Sequence, residues 1–275
     1  MDIKAFKMDG LGNDFVIIDR RKNKINLSKE QIIKIGNRNN VGFDQIIFIE
    51  KEVKGVFPIK IFNPDGIEVD ACGNGSRCVA YLISKENNQK FINLKADKKI
   101  LEAEILSEKY VRINMGFARF ENWKDIPLEN EKLNPKIVSI DFLEKEYGTG
   151  FCLNVGNPHI VFFVKDCEKV DIKKVGPKIE NHHYFPERVN VTFAEVLDEF
   201  KQDVKINVWE RGAGQTKACG TAACATAYAA KINGKIKNKT EIEFELGNLS
   251  IYIDESKNIS MSGPVSNIDQ INIKI

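Results

Sequence analysis

Ala71-Cys72-Gly73-Asn74-Gly75-Ser76-Arg77-Cys78-Val79-Ala80-Tyr81 returns, altered, as Ala218-Cys219-Gly220-Thr221-Ala222-Ala223-Cys224-Ala225-Thr226-Ala227-Tyr228. The offset is 147 residues (219 − 72), and Ala, Cys, Gly, a later Ala and the closing Tyr are identical. Working outward, Phe62 falls on Trp209 at the same offset. Gly12-Asn13 falls on Gly156-Asn157 at 144 (156 − 12), and Phe43 on Phe193 at 150 (193 − 43). Landmarks in one order at nearly one spacing mark an internal duplication. A chain of 275 residues is comfortable for two domains, so each copy is expected to fold as one of them. The expected division is 1–117, with a C-terminal strand from 264–275 added, and 118–263. A cleft between duplicated domains would then present the same motif from both sides.

Local patterning sets the fold class. Phe15–Ile18, Gln45–Glu50, Phe57–Phe62, Ile100–Leu106 and Tyr110–Met115 read as strands in the first half. Ile160–Val164, Val189–Leu197, Val204–Trp209, Glu241–Leu246 and Leu249–Ile253 do so in the second. All are rich in Ile, Val and Phe between Gly, Asn and Asp turns. Ser28 is placed to cap a helix running to about Asn37, and Asp171–Asn181 is a second helix candidate. Two further helices follow the cysteine motifs, one from about Asn74 and one over Thr221–Lys231. Strands and helices do not alternate regularly, which argues against a doubly wound sheet. The expected class is α+β, with curved, mostly antiparallel sheet. The polar stretch Arg119–Pro135 reads as an inter-domain connection.

Composition narrows the function. Lys+Arg number 41 and Asp+Glu 39, a net charge of +2, which disfavours a nucleic-acid partner. No stretch approaches the length of a membrane span, and the N-terminal residues lack the apolar run of a signal peptide. Six cysteines are too few for a disulfide scaffold at this length. The expected setting is therefore a reducing cytoplasm, with free thiols and no membrane partner.

The chemistry lies in the repeated cysteines. A cysteine just before a helix sits at unpaired N–H groups and the positive dipole end, which favours thiolate. Those N–H groups also suit a carboxylate. Two such thiols acting on one carbon, one removing a proton and one returning it, invert the configuration there without metal or organic cofactor. Metal binding is disfavoured by spacings of C-x5-C and C-x4-C within the motifs. Cys78, Cys152, Cys167 and Cys224 read as small core residues. His159 as base to a single nucleophilic thiol is the competing arrangement, but it leaves the second motif unexplained.

Phe6-Lys7-Met8 with Gly10-Leu11-Gly12-Asn13-Asp14-Phe15 resembles the opening signature of the diaminopimelate epimerase family. Both cysteine motifs, Gly156-Asn157-Pro158-His159, Glu187-Arg188-Val189-Asn190 and Glu210-Arg211-Gly212-Ala213-Gly214-Gln215-Thr216 resemble further family blocks in order, from Phe6 to Gly263. The resemblance implies two pseudo-symmetric domains, each a sheet curled around a central helix, assembled as a homodimer. It implies epimerisation of LL- to meso-diaminopimelate, for lysine and peptidoglycan precursors, without pyridoxal phosphate. Cys72 and Cys219 would be the acid/base pair. Gly73, Asn74, Gly220 and Thr221 would hold the reacting carboxylate. Asn13, Gln45, Asn63, Asn157, Asn190, Glu210 and Arg211 would contact the small-molecule amino acid substrate, and His159 and Glu210 would tune the thiols. A cofactor-independent epimerase of another amino acid, such as lanthionine, is the alternative.

Overall fold

The computed structural model describes residues 2–69, 72–97, 99–198 and 202–274. Two compact units emerge, Met1–Asn114 with Ser262–Ile275, and Met115–Met261. Asp70 and Ala71, which open the first cysteine motif, lie outside the described residues.

In the first unit the strands are β1 (Asp2–Gly10), β2 (Asn13–Asp19), β3 (Gln45–Ile49), β4 (Val56–Phe62), β5 (Glu68–Val69), β6 (Phe91–Ala96), β7 (Lys99–Ser107) and β8 (Tyr110–Phe117). Helix α1 spans Lys29–Gly36 and α2 spans Gly73–Asn87. In the second unit α3 is Glu144–Tyr147, followed by β9 (Phe151–Asn154), β10 (Pro158–Phe163), α4 (Ile172–Glu180), β11 (Asn190–Asp198), β12 (Asp203–Glu210) and β13 (Gly214–Gln215). Helix α5 (Gly220–Ile232), β14 (Lys239–Phe244), β15 (Gly247–Ile253) and β16 (Asn258–Pro264) come next, and β17 (Asp269–Lys274) returns to β1.

The two units share one topology. In the first, β1–β2 is antiparallel, β2–β3 parallel, β3–β4 antiparallel, β4–β6 parallel and β6–β7 antiparallel. In the second, β9–β10, β10–β11, β11–β12, β12–β14 and β14–β15 repeat that order of directions. The sheets are thus mixed, with the described pairs mostly antiparallel. Register makes residues equivalent: Phe15 opposite Gln45 corresponds to His159 opposite Asn190, and Ile46 opposite Phe62 to Val191 opposite Trp209. The Gly-Asn landmark has a backbone cause, since Gly12 (φ 78°) and Gly156 (φ 122°) both take conformations that favour glycine.

Each sheet encloses a helix. Helix α2 packs against β1, β2, β3, β6 and β7, and all its residues from Gly73 to Ile83 are buried. Helix α5 packs against β9, β10, β11, β12, β14 and β15. Its alanine-rich run suits that place, because small side chains on every face let strands approach all round. Helix α1 instead covers the outer face of its sheet, burying Ile32 and Ile35 against Ile3, Val16, Phe43, Ile46 and Phe48.

Some local readings change. Strand β1 is hard to see in the sequence because Phe6 and Lys7, both half-buried, break the alternation that Ile3, Lys4 and Ala5 begin; six of its residues pair with β17 from Asp2↔Lys274 to Lys7↔Asp269. The strand read over Glu241–Leu246 stops at Phe244, where Glu245 and Leu246 turn into β15. Arg119–Pro135 is no linker: Phe120, Ile126 and Leu128 are buried, and Phe120 packs on Phe151 and Tyr228.

Candidate active site

Each cysteine is the N-cap of its enclosed helix. Cys72 has φ −144° and ψ 109°, and Cys219 has φ −135° and ψ 111°, both extended. Each backbone carbonyl accepts the first intrahelical bond, from Ser76 N–H at 2.9 Å and Ala223 N–H at 3.0 Å. Each sulfur accepts from the third helical residue, Gly75 N–H at 3.3 Å and Ala222 N–H at 3.5 Å. The N–H groups of Gly73, Asn74, Gly220 and Thr221, at the first two helical positions, have no intrahelical acceptor by their place in the helix. Sulfur thus fills the position usually held by a Ser, Thr, Asp or Asn side chain.

Around Cys72 the first unit sets amides. The sulfur lies 3.9 Å from Asn13 Oδ1, which also accepts from Asn74 Nδ2 at 3.4 Å. Asn13 Nδ2 donates to Asp44 Oδ2 at 2.8 Å, which fixes which end of that amide faces the thiol. Asn74 Oδ1 accepts from Arg77 Nη1 at 3.0 Å, and the Arg77 side chain is fully buried. Arg38 bridges Asp14 and Asp44. Burial works against the charge of Asp14, but hydrogen bonds from Arg38 and Lys7 outweigh it and hold its carboxyl below the usual range. Gln45 Nε2 donates to Asn63 Oδ1 at 3.2 Å, and the buried Gln45 Oε1 has no partner among the described residues.

Around Cys219 the second unit sets a carboxylate. The thiol donates to Glu210 Oε2 at 3.0 Å, and Glu210 Oε1 accepts from Thr216 Oγ1 at 2.5 Å. Thr221 Oγ1 lies 3.4 Å from the sulfur and accepts from Asn157 Nδ2 at 3.4 Å. Asn157 Oδ1 in turn meets His159 Nε2 at 2.9 Å. Asn190 is buried; its Nδ2 donates to Pro158 O at 2.8 Å and its Oδ1 accepts from Arg211 N–H at 2.9 Å. Arg211 Nη1 donates to the Glu187 carbonyl at 2.9 Å.

One expectation is reversed here. A helix N-terminus was expected to lower the thiol pKa, yet Cys219 is pushed well above the usual range. Burial is the largest cause and the Glu210 carboxylate adds to it, while Thr221 and the Ala222 N–H pull only weakly the other way. His159 is held neutral, its pKa lowered to about 3 by burial and by the Arg211 charge. It meets Asn157 and is separated from Cys219 by two further hydrogen bonds. Burial likewise pushes up the thiols of Cys78 and Cys152.

Sequence reasoning passed over Asp44, Arg77 and Thr216, which hydrogen-bond Asn13, Asn74 and Glu210 respectively. The available signal was adjacency: Asp44 precedes Gln45, and Arg77 lies one helical turn from Asn74.

Comparison with known proteins points one way. The chain matches the family model described as diaminopimelate epimerase over residues 5–121 and 151–268. A protein named diaminopimelate epimerase from Pelagibacter ubique (strain HTCC1062) is 51% identical over 278 residues, covering 100% of both chains. One of the same name from Acinetobacter baylyi is 36% identical over 273 residues, covering 98% of this chain and 96% of the relative. Among solved structures, an Enterococcus faecalis phenazine biosynthesis protein has a TM-score of 0.72 at 15% identity, covering 100% of both chains. A probable proline racemase from Agrobacterium radiobacter K84 has a TM-score of 0.66 at 12% identity, covering 99% of this chain and 93% of that one. At such identities the likeness is one of fold.

The neutral His159 has a consequence for stability. Its folded pKa lies below the unfolded value of 6.5, so between pH 6.5 and about 3 only the unfolded chain takes up this proton. The contribution is complete above pH 6.5 and is lost on acidification at about 1.4 kcal/mol per pH unit. His159→Phe, which installs the residue type of the equivalent Phe15, removes that part of the acid sensitivity. Urea unfolding of both proteins at pH 6.5 and 4.5 measures it, and equal pH slopes would refute the assignment.

Proposed function

The chain belongs to the diaminopimelate epimerase family, and we propose that it interconverts LL- and meso-diaminopimelate through the thiols of Cys72 and Cys219. The observation that carries this reading is the duplicated cap. In both units a cysteine sulfur sits at the start of an enclosed helix, bonded to the N–H of the third helical residue.

One cysteine, as thiolate, takes the α-hydrogen as a proton. The Cα–H bond breaks, an S–H bond forms, and the electron pair moves toward the carboxylate. The other cysteine, as thiol, gives its proton to the opposite face and the pair returns to form the new Cα–H bond. The configuration inverts and the two sulfurs exchange protonation states. The α-carbon of an amino acid is a weak acid, so charge developing on its carboxylate must be offset. The N–H groups of Gly73, Asn74, Gly220 and Thr221 serve that role. Asn13, Gln45, Asn63, Asn157, Asn190 and Arg211 hold the ammonium and carboxylate groups, Arg211 offering a planar fork to the distal carboxylate.

The two halves are not equivalent chemically. Register sets Asn63, after Phe62, against Glu210, after Trp209. At this position the second unit carries a carboxylate where the first has an amide, and that carboxylate accepts the Cys219 S–H. Cys219 is therefore the proton donor in the resting enzyme, and the two-thiol scheme leaves the starting base to Cys72. Free cysteines support a reducing, cytoplasmic setting, and the family resemblance supports a homodimer, which sedimentation equilibrium would measure.

Cys72→Ala and Cys219→Ala are each expected to lower epimerisation by at least about 10²–10⁴-fold. Turnover of LL-diaminopimelate in heavy water should place deuterium at the α-position, read by mass spectrometry. Full activity in either variant would end the two-thiol proposal. Glu210 raises the Cys219 pKa, so Glu210→Gln lowers it, and a proton donor must remain protonated to act. The alkaline limb of the kcat/KM profile should move to lower pH in that variant; an unmoved limb would remove Glu210 from the role.

A further inference from the structure

Glu180 closes helix α4, and its side chain is only 6% exposed. Its Oε2 accepts from the Trp209 indole Nε1–H at 2.7 Å. Its Oε1 accepts from the Gly212 backbone N–H at 2.8 Å and from Arg188 Nη1 at 3.3 Å. Trp209 and Gly212 bracket Glu210 and Arg211, so one buried carboxylate pins both ends of the turn that carries them. One helical turn earlier on the same face, Gly176 lies flat against the indole. A Cβ there would come within 2.6 Å of the Trp209 ring. Helix α4 thus seats the indole by shape through Gly176 and by hydrogen bonding through Glu180. Arg188, the third donor, follows Glu187, whose carbonyl takes the Arg211 guanidinium.

We infer that Glu180 is a positioning residue: through Trp209 and Gly212 it sets where Glu210 meets the Cys219 thiol and where Arg211 presents its guanidinium. The inference rests on the roles proposed above for Glu210 and Arg211. Its physical basis is the acceptor count. All three neighbours of this carboxyl group are donors, and a carboxylate accepts on both oxygens, whereas glutamine offers one accepting end and one donating end. In Glu180→Gln the amide oxygen turns toward Gly212 and Arg188, because the reverse would set its NH2 against two donors. The amide nitrogen then faces the Trp209 N–H, donor against donor. The indole has to move, and Glu210 and Arg211 move with it.

The test compares wild type, Glu180→Gln, Trp209→Phe and the double variant by steady-state kinetics with LL-diaminopimelate, by thermal unfolding, and by hydrogen exchange in peptides covering 209–216. Glu180→Gln is expected to raise KM and to lower kcat/KM by about tenfold or more, the scale of one unpaired buried donor. Trp209→Phe removes the opposing N–H, so the double variant should recover most of that loss, a non-additivity that only a shared contact produces. A merely structural role predicts a lower melting temperature and a smaller active fraction at unchanged KM, with no recovery, and that pattern overturns the inference. Gly176→Ala displaces the same indole with the carboxylate intact and should raise KM even if Glu180→Gln fails to fold; unchanged KM there also overturns it. Hydrogen exchange needs no turnover. Faster exchange of 209–216 in Glu180→Gln, slowed again in the double variant, supports the positioning role even if wild type proves inactive and the epimerase reading falls. Unchanged exchange refutes it whatever the activity.

Discussion

A helix whose start is buried must find acceptors for its first N–H groups, and in both units a cysteine sulfur is one of them. This constraint orders much else. It fixes each thiol to the rigid end of an enclosed helix, because the sulfur is bonded into the cap. It leaves the N–H groups of the first two helical residues beside that thiol without intrahelical partners, where an anion is favoured. The bond that ends the loop therefore also sets the thiol beside these N–H groups.

Enclosure has an electrostatic cost that the two halves meet differently. Near Cys72 stand the amides of Asn13 and Asn74, oriented by Asp44 on one side and by the buried Arg77 on the other. Around Cys219 burial and Glu210 act together to raise the thiol pKa, against the Thr221 hydroxyl and the Ala222 N–H. Burial outweighs those two hydrogen bonds because it disfavours the charged thiolate over the neutral thiol. Two caps with one backbone geometry thus carry different electrostatic surroundings.

Much of the fold was legible from local signals. The Ser28 cap bounds α1 as read, because capping is a contact between residues three apart, and the candidate Asp171–Asn181 holds α4, which Asp171 caps. Strands with clean apolar runs, such as Gln45–Ile49, were equally visible. Strand β1 was not, because its alternation breaks at Phe6 and Lys7 and its partner β17 lies at the other end of the sequence. Arg119–Pro135 misled for a related reason. Its polar turns suggest a linker, while the few apolar side chains among them are buried in the second unit.

The sequence by itself determined the duplication, the two cysteine caps and the family, since repeats, turn residues and motif spacing are properties of the linear chain. Only the tertiary structure decided the protonation of Cys219, the neutrality of His159 and the place of Glu180. Each depends on burial and on neighbours far along the chain: Glu210 against Cys219, Arg211 against His159, Trp209 and Gly212 against Glu180. Electrostatic energy follows distance and solvent access rather than order in the sequence, so a motif can name the reacting group but not its charge.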